Sequence, residues 1–397
     1  MTMLSQRVKG ISPSATMAIS TKAKEMKRQG IDVIAFGVGE PDFDTPEQIK
    51  AAGIQAIAEG FTKYTPPAGT PELREAICAK HWRDYGLEYH PNEIVVSVGA
   101  KYALYAAFQA LCDPGDEVLL PAPYWVSYSE QIKLAGAVPV VVETREEDGF
   151  NLDPARVAEK ITPRTKVIVL NSPNNPTGAV YSPDILREIG FLAIKHDFFI
   201  ISDECYEMMV YDDAQHFCVA ALEPEFKRQT LLVNAVSKAY AMTGWRIGWV
   251  ACQEPIARAI NALQGHSATA GSMNQRAARA ALTGPQETIR EMVAEFDQRR
   301  RYMFERISAW PGVTCARPQG AFYMFPNFAS YKGRSFQGQE IRDIDYLGTL
   351  MLDQAHVAVV PGSGFGAPDY IRFSYANSMA NIKAGLDRVE AFLRHLD

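Results

Sequence analysis

Short apolar runs bounded by Gly, Pro and Asx turns alternate with longer stretches of helical period along most of the chain. Runs at residues 31–36, 93–98, 117–120, 138–143, 166–170, 198–202, 230–236 and 246–251 read as strands, several of them built almost wholly from Val, Ile, Leu or Phe. Such composition marks strands buried on both faces. Between them, residues 46–59, 71–85, 99–111 and 182–196 predict helices; Pro71 stands at a first helical position, and Ser182 caps a helix with Pro183 and Asp184 in its first turn. Strand and helix in alternation predict an α/β fold.

The ends of the chain follow another rhythm. Residues 4–30 read as an arm leading into a helix with Ile19, Ala23 and Met26 on one face. A long polar helix is expected from 286 to about 309 as the bridge out of the sheet region, with Arg299, Arg300 and Arg301 in water. Strands at 320–325, 357–360 and 370–374, a helix at 343–354 and a last amphipathic helix with Ile382, Leu386, Val389 and Leu393 on one face complete the chain.

Composition excludes more than it assigns. The 397 residues are enough for roughly two to three domains. A formal charge of -6, with no basic run interleaved with aromatics, argues against nucleic acid as a partner. No segment reaches about 18 uninterrupted apolar residues, so no membrane span is expected and the cytoplasm is the expected location. Six scattered cysteines without Cys-x-x-Cys fit reduced thiols, and seven histidines without His-Glu-x-x-His give no reason to expect a metal.

Candidate chemistry lies where strands end. Lys238 follows the strand at 230–236 among small and apolar neighbours, where lost hydration lowers an amine's pKa and lets it attack a carbonyl to form a Schiff base. Ser237 and Arg246 nearby suit a phosphate. Asp203 ends the strand at 198–202, where a carboxylate serves a ligand or caps a turn. The helix start at Gly99-Ala100-Lys101 is an anion site or an ordinary turn. The Gly37-Val38-Gly39 turn allows close approach of a ligand or simply reverses the chain. Trp125 is core or a stacking platform, and Arg372 inside a strand pattern reads as an edge residue reaching water. Asn175-Pro176 lies in a polar loop and is a plausible cis bond.

The run Ser237-Lys238, then Met242-Thr243-Gly244-Trp245-Arg246-Ile247-Gly248, resembles the cofactor-lysine motif of the class I aminotransferases, most closely the short-chain bacterial aspartate aminotransferases. Further motifs follow in the family's order: Gly39-Glu40-Pro41-Asp42-Phe43, the 171–178 loop, Asp203-Glu204-Cys205-Tyr206, and Ile371-Arg372 before Ser374. The resemblance implies fold type I: a large domain around a mostly parallel seven-stranded sheet flanked by helices, and a smaller α+β domain. The implied division is 1–45 for the arm and part of the small domain, 46–290 for the large domain and 291–397 for the small C-terminal domain.

It also implies pyridoxal 5'-phosphate on Lys238. Asp203 would pair with the ring nitrogen, Asn175 and Tyr206 with the ring oxygen, and Trp125 would stack on the ring. Arg246, Ser237 and the amides of Ala100 and Lys101 would hold the phosphate, with Tyr64 reaching across from a second subunit. A homodimer with shared sites follows. Gly39, Trp125, Asn175 and Arg372 would receive the substrate, and the Lys101 side chain its distal carboxylate. The implied reaction transfers an amino group from aspartate to 2-oxoglutarate, and the competing readings on this scaffold are an aminotransferase for aromatic or neutral amino acids and a lyase. Two departures stand out. Ser12 replaces a basic residue found in relatives that use prephenate, and Ala235 replaces a phosphate-binding hydroxyl.

Overall fold

In the computed structural model, which describes residues 4–13 and 15–397, the apolar runs become strands almost where the pattern puts them. After a two-residue β1 (Ile34–Ala35) come β2 (Ile94–Ser97), β3 (Glu117–Ala122), β4 (Val138–Glu143), β5 (Thr165–Asn171), β6 (Phe199–Asp203), β7 (Thr230–Ala235) and β8 (Gly248–Ala251). The last seven form one sheet in the order β2-β8-β7-β6-β5-β3-β4. Only β8 runs antiparallel to its neighbours.

Both faces of this sheet are covered, which is why its strands need no polar alternation. Along β5, Val167 and Val169 enter the core beneath the Ala100–Leu111 helix, while Ile168 and Leu170 enter the opposite core beneath Pro183–His196. Helices Pro71–Tyr85 and Ser272–Thr283 pack with β7 and β8 in a third cluster. The Ser182 cap is present, its Oγ accepting from the Ile185 amide at 3.3 Å.

The remaining strands are short: β9 (Tyr323–Met324), β10 (Ser335–Phe336), β11 (Gln339–Glu340), β12 (Val357–Ala358), β13 (Val360–Pro361) and β14 (Ile371–Ser374). They form an antiparallel sheet β13-β14-β9, a hairpin β10-β11 and a parallel pair β1-β12 that ties the N-terminal segment to the C-terminal one. Ile382, Leu386, Val389 and Leu393 all enter the core beside them.

Three expectations need correction. The strand expected at 320–325 shrinks to β9 because Ala321 takes a positive φ of 59° and Gly320 bridges to Val210. The strand expected from Arg246 starts at Gly248, since Arg246 itself is left-handed at φ 55°. The arginines of the long helix Glu287–Ser308 are not a solvated row. Arg299 and Arg300 are buried, Arg299 paired with Asp42 (2.7 Å) and Glu295 (2.9 Å), Arg300 with Asp212 (2.8 Å) and Asp297 (2.6 Å); only Arg301 is exposed. The helix puts Ile289 in the core under β8 and Met292, Phe296, Met303 and Ile307 in the C-terminal core. The side of the helix that carries Arg299 and Arg300 is enclosed between elements, and the charges there find partners instead of water.

Candidate active site

Strands β7, β6, β5 and β3 lie side by side and parallel, so their carboxyl ends open together, the usual place for a ligand in such a sheet. A cavity of about 430 Å³ lies there, with Gly39, Lys101, Trp125, Asp203, Lys238 and Arg372 in its wall. Ala100, Asn175, Tyr206, Ser237 and Arg246 line it as well. The structure thus gathers every expected cofactor- or substrate-binding residue except Tyr64, which is wholly exposed and away from the cavity of its own chain.

Lys238 lies in the turn after β7, and its ammonium donates to the Gly39 carbonyl. Burial pulls its pKa from 10.5 to about 8, with Arg372 and Arg246 adding to the depression against the opposing pull of Cys205 and Glu40. The amine is therefore poised to lose its proton near neutrality.

Asp203, the last residue of β6, is 5% exposed and receives only neutral donors: the Tyr128 hydroxyl at 2.7 Å and the Cys205 amide at 3.2 Å. Burial raises its pKa, and these hydrogen bonds, with a smaller pull from the Lys238 charge, oppose the rise. Arg372, on β14 in the middle of its sheet, is 2% exposed. Its Nη1 donates to Asn175 Oδ1 (2.8 Å), its Nη2 to the Gly37 carbonyl (2.9 Å), and its Nε has no partner among the described residues. A buried carboxylate and a buried guanidinium thus face one cavity, each satisfied only by uncharged groups.

Asn175 is held by its neighbours. Its amide N–H donates to Asn171 Oδ1 (2.9 Å), and Asn171 Nδ2 donates to the Asp203 carbonyl (3.0 Å), which bolts the 171–178 loop to the end of β6. The Asn175-Pro176 bond is cis. With Oδ1 committed to Arg372, the Asn175 side-chain amide can donate into the cavity.

On the far side, the helix Ala100–Leu111 starts after Gly99, at φ 74°, with no side-chain cap. A Cβ at Gly99 would lie 2.4 Å from Arg246 Nη2, and one at Gly248 would lie 2.4 Å from the Ala100 nitrogen. The two glycines let a guanidinium and uncapped amides converge, and the left-handed turn at Arg246 aims the side chain there. Arg246 is anchored on the Thr243 carbonyl at 2.8 Å. Ala235 is buried and offers no hydroxyl, whereas buried Ser237 does. Lys101 lies 5.0 Å from the Trp125 ring with no ion pair among the described residues; burial and then Arg246 lower its pKa.

Several wall residues carried no signal that the pattern could expose. Tyr128 comes one turn after Trp125 in a helix, Ser127–Leu134, that the periodicity did not predict, and its ring meets Trp125 edge-on at 5.4 Å. Tyr323 reads as plain strand but bonds Tyr206 hydroxyl to hydroxyl at 2.7 Å. Thr243 donates to Glu40 at 2.9 Å across the cavity mouth. The residues after Asp203 bring Glu204, Glu207 and His216 together, a grouping that the histidine spacing did not reveal. Lys80, at 2.6 Å from Glu207, supplies a positive charge to that cluster from within the protein.

Residues 31–389 match the family model described as aminotransferase class I and II. The chain belongs to this aminotransferase family. It is 48% identical to the aspartate aminotransferase of Geobacillus stearothermophilus over 98% of each chain. It is 46% identical to the aspartate/prephenate aminotransferase of Thermus thermophilus over 97% of each. The crystal structure of the Rhizobium meliloti aspartate aminotransferase superposes with a TM-score of 0.95 at 41% identity, covering 100% of both chains. The Thermus thermophilus enzyme with maleate superposes at 0.91, with 44% identity over 98% of this chain and 100% of that one.

The cavity of this aminotransferase fits the family's pyridine aldehyde phosphate on three counts. Asp203 has no cation in ion-pair contact among the described residues, the uncapped start of the Ala100–Leu111 helix lies with Ser237 and Arg246 in the cavity wall, and Lys238 is an amine that loses its charge readily.

Proposed function

We propose that the protein is a pyridoxal-phosphate aminotransferase that moves an amino group between aspartate and 2-oxoglutarate, working as a homodimer. One observation carries this reading: Lys238, Asp203 and Arg372 face one cavity with no ion pair to any of them among the described residues, and the three deficits match an aldehyde, a protonated ring nitrogen and an α-carboxylate. The same reading divides the chain at 45/46 and within the Glu287–Ser308 helix at 290/291.

The cofactor, when bound, supplies an electron sink for charge developing at the substrate's Cα. The chain does the holding and the proton transfer. Arg246, Ser237 and the amides of Ala100 and Lys101 would hold the phosphate, and Trp125 would stack on the ring. Asp203 would keep a proton on the ring nitrogen: an opposite charge at about 4 Å and effective dielectric near 20 contributes about 4 kcal/mol, or about three pKa units. Tyr206 and Asn175 would donate to the ring oxygen. Arg372 would grip the α-carboxylate in its planar fork, with Gly39 alongside, and Lys238 would take the proton from Cα.

Lys101 supports the dicarboxylate. Once Arg246 meets the phosphate and Arg372 the α-carboxylate, Lys101 is left as a desolvated cation over Trp125, suited to a second carboxylate. Ser12 argues against prephenate, since it brings no cation and its amide donates to Glu130 at 2.9 Å.

The test is direct. Purified protein should absorb visible light, bleach with borohydride and carry the label on Lys238; a panel of amino donors with 2-oxoglutarate should rank aspartate first. Labelling elsewhere, or preference for aromatic or neutral donors, would overturn the corresponding part.

A further inference from the structure

Tyr323 belongs to none of the roles above, yet it touches both halves of the site. It sits on β9, paired with Ser374 one residue past the Arg372–Phe373 stretch of β14. Its ring lies 4.3 Å from the Arg372 guanidinium carbon and meets Tyr206 edge-on at 5.8 Å and 75°. Its hydroxyl lies 2.7 Å from that of Tyr206. The fit is close: a Cβ on Gly39 would come within 2.8 Å of the Tyr323 oxygen. Both tyrosines are buried in the cavity wall.

We propose that Tyr323 is a positioning residue that joins the carboxylate clamp to the ring-oxygen donor, its ring seating Arg372 and its hydroxyl orienting Tyr206. The inference rests on the cofactor reading of the cavity. A phenol has one proton. When Tyr206 spends its proton on an oxygen in the cavity, it can only accept from Tyr323, so Tyr323 must be the donor of the pair. A hydrogen bond donated into the Tyr206 oxygen polarises it and strengthens Tyr206's own donation. The same ring carries the Arg372 charge on its face, which makes the Tyr323 hydroxyl a better donor while the clamp is empty. Filling the clamp with a carboxylate removes that bias. One side chain thus reports clamp occupancy to the oxygen that tunes the cofactor.

The experiment uses holoenzyme and reads the pH midpoint of its visible absorption. A donor to the ring oxygen stabilises negative charge there and lowers that midpoint, so Tyr323→Phe should raise it by about half a unit, a change of about threefold in the proton's dissociation constant. KM for aspartate should stay near wild type in Tyr323→Phe, because the ring still lies under Arg372. Tyr323→Leu, lacking the ring, should weaken binding of maleate, used as the probe, about tenfold. The decisive variant is double. Because Tyr323 acts through Tyr206, Tyr206→Phe/Tyr323→Phe should show the midpoint of Tyr206→Phe alone. Additive shifts, or an unmoved midpoint in Tyr323→Phe while Tyr206→Phe moves it, would overturn the proposal. A wild-type protein that takes up no coloured cofactor would instead overturn the underlying reading, which separates the two failures.

Discussion

Lys238 carries its charge at a cost that depends on pH. Its folded pKa of about 8 lies below the ordinary 10.5, so between these values the unfolded chain binds the extra proton. Stability of the cofactor-free protein therefore gains from this group as pH rises from about 8 to 10.5, and below 8 the buried charge opposes folding. Replacing it by Met should stabilise the apoprotein at pH 7, with the advantage shrinking towards pH 10.5 in paired thermal melts. A constant gap would mean that Lys238 is hydrated after all. The same pKa sets capture of an aldehyde by the apoprotein, whose rate should climb with pH and level off above about 8 in stopped-flow absorbance. Lys101 makes a different prediction, about selectivity. Lys101→Gln should lower kcat/KM for aspartate by about 10- to 100-fold, as expected for losing a charged hydrogen bond, while leaving alanine nearly unchanged. Equal losses for both donors would move Lys101 out of the distal subsite.

Among the elements, legibility depended on whether a local rule or a distant partner decides the outcome. The helices capped by Ser182 and started by Pro71 follow the pattern because their stop and start signals are carried in the first turn. The sheet strands follow because burial on both faces demands unbroken apolar runs, as in β5 and β6. Lys238, Asp203, Asn175, Arg246 and Arg372 were legible through the motifs that hold them, although only the folded chain shows that Asp203 and Arg372 have no ion pair among the described residues. Tyr128 and Tyr323 escaped notice because their value comes from a partner 75 and 117 residues away, Asp203 and Tyr206. The arginines of the Glu287–Ser308 helix failed for the same reason, since Asp42 and Asp212 come from remote loops. Their burial makes a prediction at this scale. Arg300, 1% exposed, also donates to the Pro318 carbonyl at 2.8 Å. Arg300→Ala should destabilise the protein by about 3 kcal/mol in urea unfolding, because it empties a buried site and strips partners from Asp297 and Asp212. A loss below about 0.5 kcal/mol would place this network with ordinary surface pairs.

At the scale of the whole molecule, the single chain leaves Tyr64 wholly exposed and Ile54 and Ile57 bare on the Glu47–Ala58 helix just before it. Apolar groups gathered outside the cavity in this way are what a subunit interface covers. If Tyr64 completes the phosphate site of a partner, each active site needs Lys238 from one chain and Tyr64 from the other, and two defective chains should repair each other. Lys238→Ala chains should be inactive by themselves, and Tyr64→Ala chains should hold the cofactor poorly. In a mixed dimer, one site receives both defects and the other receives neither. After unfolding and refolding an equimolar mixture, about half the dimers are mixed and one of their two sites is intact, so activity should return to about a quarter of wild type for a twofold-symmetric dimer with shared sites. Sites confined to single chains would predict no recovery, since the Lys238→Ala chain would have no working lysine in any pairing and the Tyr64→Ala chain would keep its own defect.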